Sequence, residues 1–421
     1  MLQTSPHLAA LTPTGNLAWL DKFIEKKTEI EAWFVEQFNK HLAPLYTSVD
    51  LRFSGPKLAP VDTNLFSAGF NNISKMDYPL AVSAIKNVLL VRDLPKKWLL
   101  VPENHTRNIA YWENIAIIQQ LFSAAGCTIQ IGSLLPELST KKSLSLDFGN
   151  IELHPLGQTE KGLAASGFYP DAILLNNDLA EGVPHLFKNL PHPIYPPTHV
   201  GWHNRRKSHH ARLYQAFAQQ FAELIGIDPW LISTLETTLD DIDLDENNTL
   251  EALKKESEKL LIQLNERYKN DHIDQAPFLM LKADAGTYGQ AVMSITSADI
   301  FLSLTRKQKE EMRFTKGKQP VRSVLLQEGV YTVEYFPEDH AVAEPVIYLI
   351  NGEAIGGFYR VNKKQNDHDN LNKPGMRFVP FSLTQLLQSS QDLDYRRCYA
   401  YTVIARLATL AAAKETEELL V

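Results

Sequence analysis

The sequence predicts an α/β protein, and three features carry that prediction. Between residues 98 and 178, short apolar strand patterns alternate with a helical one, which points to a parallel layer. Strand-like runs flank turn chemistry at Ser54-Gly55-Pro56 and again at Asn351-Gly352, which points to a hairpin near each end of the chain. Helical patterns occupy residues 18–42 and a stretch from about Asp394 to Leu420.

Taken in order, the charged amphipathic pattern over 18–42 gives one or two helices, and Tyr46 to Phe53 and Lys57 to Asn64 give two strands of a hairpin. An apolar strand, Trp98–Pro102, leads to a helix over 106–125 whose apolar residues step as Ile109, Trp112, Ile115, Ile118 and Phe122. Gly126 ends it, and Cys127–Gly132 alternates as a strand. The uncharged stretch from Asn114 to Pro136 is long enough to span a bilayer, but its glutamines, its Ala-Ala-Gly break and its change of period make it helix, cap and strand. Ala172–Leu175 is a buried strand ending in Asn176-Asn177-Asp178. Asn248 with Glu251 has the spacing of a capping box. The helix it opens runs to about Asn270, with Leu250, Leu253, Leu260, Leu264 and Tyr268 as a core stripe. Strands follow at Phe278–Lys282, Val324–Glu328, Val346–Ile350 and Glu353–Val361. There is no internal repeat.

Composition narrows the function. The 421 residues suggest two or three domains, and 44% hydrophobic with 22% charged residues suits a chain with a large core. With 42 basic and 49 acidic residues the net charge is −7, which argues against a nucleic-acid partner. Two cysteines, Cys127 and Cys398, exclude a disulfide scaffold and fit a reducing compartment. The N-terminus shows neither a basic nor an apolar leader region, so a cytoplasmic protein without a membrane partner is expected.

Several segments carry chemistry. Lys282-Ala-Asp-Ala-Gly286-Thr287-Tyr288-Gly289-Gln290 follows an apolar strand, and a lysine before a small-residue loop can hold phosphates; it can equally be a glycine turn. Neither a Walker A pattern nor G-x-G-x-x-G occurs. Gln327-Glu328-Gly-Val330 ends a strand where backbone could meet a purine edge, though taken alone it reads as a buried strand reaching its turn. Arg205, Arg206, Lys207, His209, His210 and Arg212 form a basic cluster suited to a solvated helix start or a phosphate contact. Glu103, Asn104, His105 and Arg107 follow a strand end, the usual ligand location in α/β folds, with Asn104 or Thr106 equally suited to capping. Arg107 could clamp a carboxylate; Asn71 and Asn72 could hold an amino acid or stabilise a turn. The acidic run from Asp240 to Glu246 fails the calcium-loop pattern, since Glu246 stands where glycine is needed and Ala252 where the closing glutamate should be.

The lysine strand with its loop, the Gln-Glu linker, and a later hairpin bearing Arg360 followed by Asn370-Leu371-Asn372 together resemble the ATP-grasp superfamily, with glutathione synthetase as the nearest likeness. Ile194-Tyr-Pro-Pro197 followed by Arg206-Lys207 resembles the entry to its ATP domain, which makes Lys207 a second phosphate contact. The usual metal-binding hairpin is missing after the last helix. An acid, a turn and Asp-x-Asn stand instead near the start, as Asp50, Ser54-Gly55-Pro56 and Asp62-Thr63-Asn64, which implies a circular permutation. The string from Pro60 to Asn72, with Pro102 to Asn108, Leu174 to Asp178 and Lys282 to Gln290, resembles the proteobacterial type of glutamate–cysteine ligase over most of the chain.

That resemblance implies ATP-dependent ligation of the L-glutamate γ-carboxylate to the L-cysteine amine. It implies Arg360 and Lys282 as catalytic residues. ATP would be held by Lys207, Lys282, Gly286, Thr287, Tyr288, Gly289, Gln327, Glu328 and Val330. Asp50, Asp62 and Asn64 would bind Mg2+, for which Mn2+ can substitute, and Arg52, Asn71, Asn72, Arg107, Asn370 and Asn372 would bind the amino acids. Three units are expected: helices and metal hairpin at 1–78, a Rossmann-like substrate domain at 79–204, and an ATP-grasp domain with a lid at 205–421. Another amino-acid pair, a non-catalytic nucleotide-binding protein and a nicotinamide enzyme are the alternatives, the last disfavoured by the missing glycine fingerprint. Oligomeric state, a homo-oligomer included, is left open.

Overall fold

The computed structural model describes residues 9–10, 17–104, 108–147, 149–286, 291–314, 320–336, 338–388 and 393–420. They form an α/β structure with three main sheets. The first is antiparallel and joins distant parts of the chain. Tyr46–Phe53 pairs with Leu58–Asn64 on one side and with Ala341–Ile350 on the other, so the hairpin encoded early becomes part of the sheet encoded late. Ala341–Ile350 then pairs with Glu353–Asn362, and that strand with Arg377–Phe381. Asn351 and Gly352 both have positive φ, as the Asn-Gly turn requires.

Side chains alternate across this sheet. Val49, Leu51, Phe53, Ile347, Leu349 and Val361 face the helix Leu393–Glu418 and share one core with it and with the helices Ala18–Glu25 and Lys207–Ile225. The residues between them, Asp50, Arg52, Glu344 and Arg360, face the opposite way. Asp50 stands opposite Asp62, and Glu344 opposite Arg360.

The second sheet is the expected parallel layer. Ile194–Tyr195, Ala172–Asn176, Lys97–Pro102, Thr128–Ser133 and Gly149–Thr159 lie side by side in that order, all parallel, with Lys142–Leu146 antiparallel at the edge. Both of its faces are covered: Trp98, Leu100 and Leu174 pack in one core, and Leu99, Val101 and Ile173 in another. The helix Ile109–Ala124 crosses over between its strands.

The third sheet is small and antiparallel, with Glu236–Asp240, Ser323–Glu328, Leu279–Ala283 and Val292–Ile295 in that order. Leu279, Leu281, Val324 and Leu326 face the helix Asn247–Asn270 and its stripe of Leu253, Leu260, Leu264 and Tyr268. Met280, Lys282, Leu325 and Gln327 face the other way. The capping box expected at Asn248 does not form. The helix is already under way at Asn247, its cap position is Glu246, and no side chain caps it there. Among the described residues no helix is long and apolar enough to cross a membrane.

Candidate functional site

A cleft opens between the cleft-facing side of the large sheet and that of the small sheet. Asp50, Arg52, Asp62, Glu344 and Arg360 line one wall; Met280, Lys282, Val292, Gln327 and Glu328 line the other. Lys207, Gly286, Val330, Asn370 and Asn372 complete the rim. A second pocket continues behind Lys282 and Gln327 towards the helix Lys207–Ile225, and Glu236 lines it.

Local backbone chemistry explains how the hairpin presents its groups. Its register slips between Asp50 and Leu51, because Asp62 pairs with Asp50 while Pro60 pairs with Leu51. Val61 is the extra residue of a bulge, next to a proline that has no N–H for the ladder. The carbonyl of Val61 instead accepts a hydrogen bond from Lys282 Nζ at 2.9 Å, and the same ammonium donates to Gln327 Oε1 at 2.7 Å. Burial lowers the Lys282 pKa to about 8.

Asp284, two residues beyond Lys282, brings in the other lysine. Its carboxylate accepts from Ser208 N at 2.7 Å and Ser208 Oγ at 2.9 Å, which supplies the cap that Arg206 does not give the helix Lys207–Ile225. Its carbonyl accepts from Lys207 N at 2.8 Å. Lys207 Nζ then lies 2.9 Å from the Gly286 carbonyl, 3.6 Å from Asp62 Oδ1, and 4.0 Å over the Trp202 ring. Burial lowers its pKa as well.

The two hairpin carboxylates differ. Burial pushes Asp50 up to about 6, with the charges of Asp62 and Glu344 adding to the effect against Arg360. Asp62 moves down: burial opposes this, but Lys207, Lys282 and Arg205 outweigh it. Asn64 Nδ2 donates to Asp62 Oδ2 at 3.1 Å. Arg360 Nη1 donates to Asp50 Oδ2 and to Glu344 Oε1, each at 2.7 Å, while its Nε is buried without a partner. Burial disfavours the guanidinium charge, yet these two carboxylates raise its pKa further.

The expected residues therefore divide. Asp50, Arg52, Asp62, Lys207, Lys282, Gly286, Gln327, Glu328, Val330, Arg360, Asn370 and Asn372 meet in the cleft, with Asn64 bonded to Asp62. Asn71 and Asn72 do not line it; Asn71 Nδ2 reaches Glu113 at 3.5 Å in a turn against the helix Ile109–Ala124. Arg107, Thr287, Tyr288 and Gly289 lie outside the described residues.

Two of the expected binders are already engaged. Arg52 donates Nε to Glu344 at 2.9 Å and its terminal nitrogens to the carbonyls of Val330, Asp367 and Asp369. The Glu328 carboxylate accepts from Lys57 Nζ at 2.5 Å, Trp230 Nε1 at 3.2 Å and Leu235 N at 3.0 Å. The basic cluster is solvated only in part: Arg206 and Arg212 are exposed, His209 and Arg212 bind Glu418, and Arg205 is buried on Glu415. Sequence reasoning missed Glu344 and Glu236, and placed Arg205 only within a basic cluster. A lone glutamate in the apolar run Ala341 to Ile350 was the available signal for Glu344.

The profile of one protein family, GshA, glutamate-cysteine ligase, matches residues 21–416. The chain belongs to the glutamate–cysteine ligase family. A crystal structure from Methylobacillus flagellatus KT, of a protein assigned by inference as a gamma-glutamylcysteine synthetase, is similar at 39% identity and a TM-score of 0.90, with 99% of each chain covered. D-alanyl-alanine synthetase A from Vibrio cholerae O1 biovar eltor str. N16961 overlaps loosely, at 11% identity and a TM-score of 0.34 over 74% of this chain and 81% of that one. So does a glutathione synthetase-like effector, GSS30, from Globodera pallida, at 9% identity and 0.36 over 87% and 83%. No curated protein sequence matches the chain. As a family member the protein is an enzyme, a ligase that uses ATP to join glutamate to cysteine.

Proposed function

We propose that the cleft between the two antiparallel sheets is where ATP and glutamate meet, and that gamma-glutamylcysteine forms there through an acyl phosphate. The observation that carries this reading is the meeting of Asp50 and Asp62 with Lys207, Lys282 and Arg360 across one cleft, although they come from chain segments far apart. A carboxylate does not condense with an amine at neutral pH, because oxide is a poor leaving group. Transfer of the ATP γ-phosphoryl group to the glutamate γ-carboxylate gives ADP and an acyl phosphate. The cysteine nitrogen then attacks the carbonyl carbon, inorganic phosphate leaves, and the nitrogen gives up a proton.

In this reading the two sheets hold ATP in the ATP-grasp manner, and the early hairpin supplies the metal ligands that a circular permutation would have moved to the front of the chain. Lys207 and Lys282 neutralise phosphate oxygens, which replace the Gly286 carbonyl beside Lys207 and the neutral acceptors of Lys282. Arg360, whose buried Nε has no partner, stabilises the charge that develops on the acyl phosphate and on the tetrahedral oxyanion. Backbone groups of Gln327 to Val330 contact adenine, since the Glu328 side chain is taken. Asn370 and Asn372 face the reacting amino acid. Water has to be kept from the acyl phosphate, because hydrolysis is the competing reaction.

Asp50, Asp62 and Asn64 are hard oxygen donors of the kind that suits Mg2+ or Mn2+; burial raises the Asp50 pKa, the charges of Asp62 and Glu344 add to it, and a cation would favour the ionised carboxylate. Among the described residues no three acidic, histidine or cysteine side chains could form a metal cage by themselves. Magnesium sites commonly use one or two protein carboxylates, so Asp50 and Asp62 would hold the ion together with ATP. Bound there, the ion would neutralise the phosphate oxygens of ATP. A cytoplasmic setting fits the two buried free thiols, and the net charge of −7 favours small-molecule substrates over nucleic acid.

Isotope transfer tests the chemistry. Glutamate labelled with 18O in its γ-carboxylate should deliver one label to inorganic phosphate, and ADP release should require both glutamate and cysteine. Unlabelled phosphate, or full ADP release with another amino-acid pair alone, would overturn this reading.

A further inference from the structure

The last turns of the helix Leu393–Glu418 hold a buried ion pair at the back of the hairpin. Glu415 is fully buried and accepts from Arg205 on both oxygens, Nε to Oε1 and Nη2 to Oε2, each at 2.9 Å. His210 Nδ1 adds a contact to Oε2 at 3.0 Å. Arg205 is only 2% exposed, and its guanidinium lies 4.9 Å over the Trp202 ring. Its remaining terminal nitrogen, Nη1, donates to the carbonyl of Thr63 at 2.6 Å. Thr63 is the residue between Asp62 and Asn64, and Arg205 itself stands two residues before Lys207.

We propose that Arg205, oriented by Glu415, is a positioning residue that fixes the strand edge carrying Asp62 and Asn64 relative to Lys207, and so sets how tightly the divalent cation and ATP are held. The proposal rests on the reading that Asp62 and Asn64 hold that cation.

Stability alone is a poor reason for this pair. Removing both charges from water is costly, and apolar side chains of similar volume often serve a core as well or better. Geometry is a better reason. A guanidinium is a rigid planar fork. With two of its edges on Glu415, the direction of Nη1 is set, and the Thr63 carbonyl is held in that direction. The peptide groups on either side of Thr63 carry Asp62 and Asn64, so they are held too. Lysine has a charge but no fork, and it could keep the ion pair while losing the bond to Thr63.

The test measures Mn2+ binding directly, by electron paramagnetic resonance in the presence of a non-hydrolysable ATP analogue, alongside thermal melting. The variants are Arg205→Lys, Glu415→Gln and the double variant Arg205→Met/Glu415→Met, which replaces the ion pair with an apolar one. All three should weaken Mn2+ binding by about 10–100-fold, the usual consequence of losing an outer-shell partner. The double variant should melt close to wild type while still binding Mn2+ weakly, a split that a merely structural role does not produce. Wild-type Mn2+ affinity in the double variant overturns the proposal. Should that variant melt early, Arg205→Lys decides the question below its own melting temperature, by the same criterion. Asp62→Asn separates the two levels. If it leaves Mn2+ binding intact, the metal reading fails and this proposal with it. If it abolishes binding while the Arg205 and Glu415 variants bind normally, only this proposal fails.

Discussion

Two buried lysines, Lys57 just before the hairpin's second strand and Lys282 on the cleft face of the small sheet, are bonded in opposite ways. Lys57 donates to the Glu328 carboxylate and lies 3.9 Å over the Trp230 ring, so its charge is matched inside the protein. Lys282, on the small sheet, donates to a carbonyl and an amide, both neutral. The large-sheet wall as a whole follows the first pattern. Arg52, Glu344, Arg360 and Asp50 alternate in sign across three strands and are joined at 2.7–2.9 Å. The small sheet, by contrast, has a core of its own with the helix Asn247–Asn270 and brings a cation whose hydrogen-bond acceptors carry no charge. A charge matched within the fold braces it, whereas a charge left on neutral acceptors is available to a ligand phosphate.

If that contrast is right, the hairpin carboxylates should matter most. Asp62→Asn and Asp50→Asn should each abolish ATP turnover and leave the circular-dichroism spectrum of the folded protein unchanged. Turnover retained in both would break the assignment of this wall. Arg360→Ala should come next, with a loss of about 10²–10³ in kcat, the usual cost of removing a preorganised oxyanion donor. A kcat within about a factor of two of wild type would reduce Arg360 to a brace between Asp50 and Glu344.

Lys282 gives a pH test of the opposite wall. Its pKa, lowered by burial to about 8, means the ammonium is charged below that pH and loses its proton above it. The kcat/KM for ATP should therefore fall as pH rises through about 8, approaching tenfold per unit, because this parameter reports groups of the free enzyme. Lys282→Arg keeps a charge at every accessible pH, so the alkaline limb should flatten even if the rate is lower throughout. A limb that persists in Lys282→Arg would assign it to another group.

Much of this architecture was legible because it is local. The Asn351-Gly352 turn, the Ser54-Gly55-Pro56 turn and the leucine stripe of Asn247–Asn270 follow from backbone preferences and side-chain period, and they stand where those rules place them. The lysine near the end of the strand Leu279–Ala283 was likewise readable. The pairs that organise the cleft were not. Arg205 and Glu415 are 210 residues apart, and Arg52 and Glu344 are 292 apart. One sequence shows such residues only as isolated charges, and which of them meet depends on how the sheets assemble. The misread capping box has a physical cause too: Asn248 and Glu251 have the spacing, but the chain turns helical one residue earlier, leaving Asn248 inside the helix. Burial also changes roles. Glu328 was expected at ATP on the family resemblance, and its side chain closes on Lys57 and Trp230.

The smallest effect should come from Asn71 and Asn72, which belong to a tightly packed turn. Gly69 has φ +129°, and a Cβ there would come within 2.6 Å of the Tyr348 hydroxyl. The N–H groups of Gly69 and Phe70 both donate to Asn114 Oδ1, at 2.9 and 3.0 Å, and the Phe70 ring packs edge-on against Tyr46 and Tyr348. This turn locks the end of the hairpin to the helix Ile109–Ala124, and the two asparagines follow the locking residues without lining the cleft. Asn71→Ala and Asn72→Ala should leave the KM for glutamate within about twofold of wild type and shift stability by no more than about 0.5 kcal/mol, as expected for partly exposed positions outside a site. Gly69→Ala should lower the melting temperature clearly, since its neighbours leave no room for the added methyl. A tenfold rise in the glutamate KM for either asparagine variant would instead place an amino-acid contact at the turn, and the contrast between the two walls would have to include a third surface.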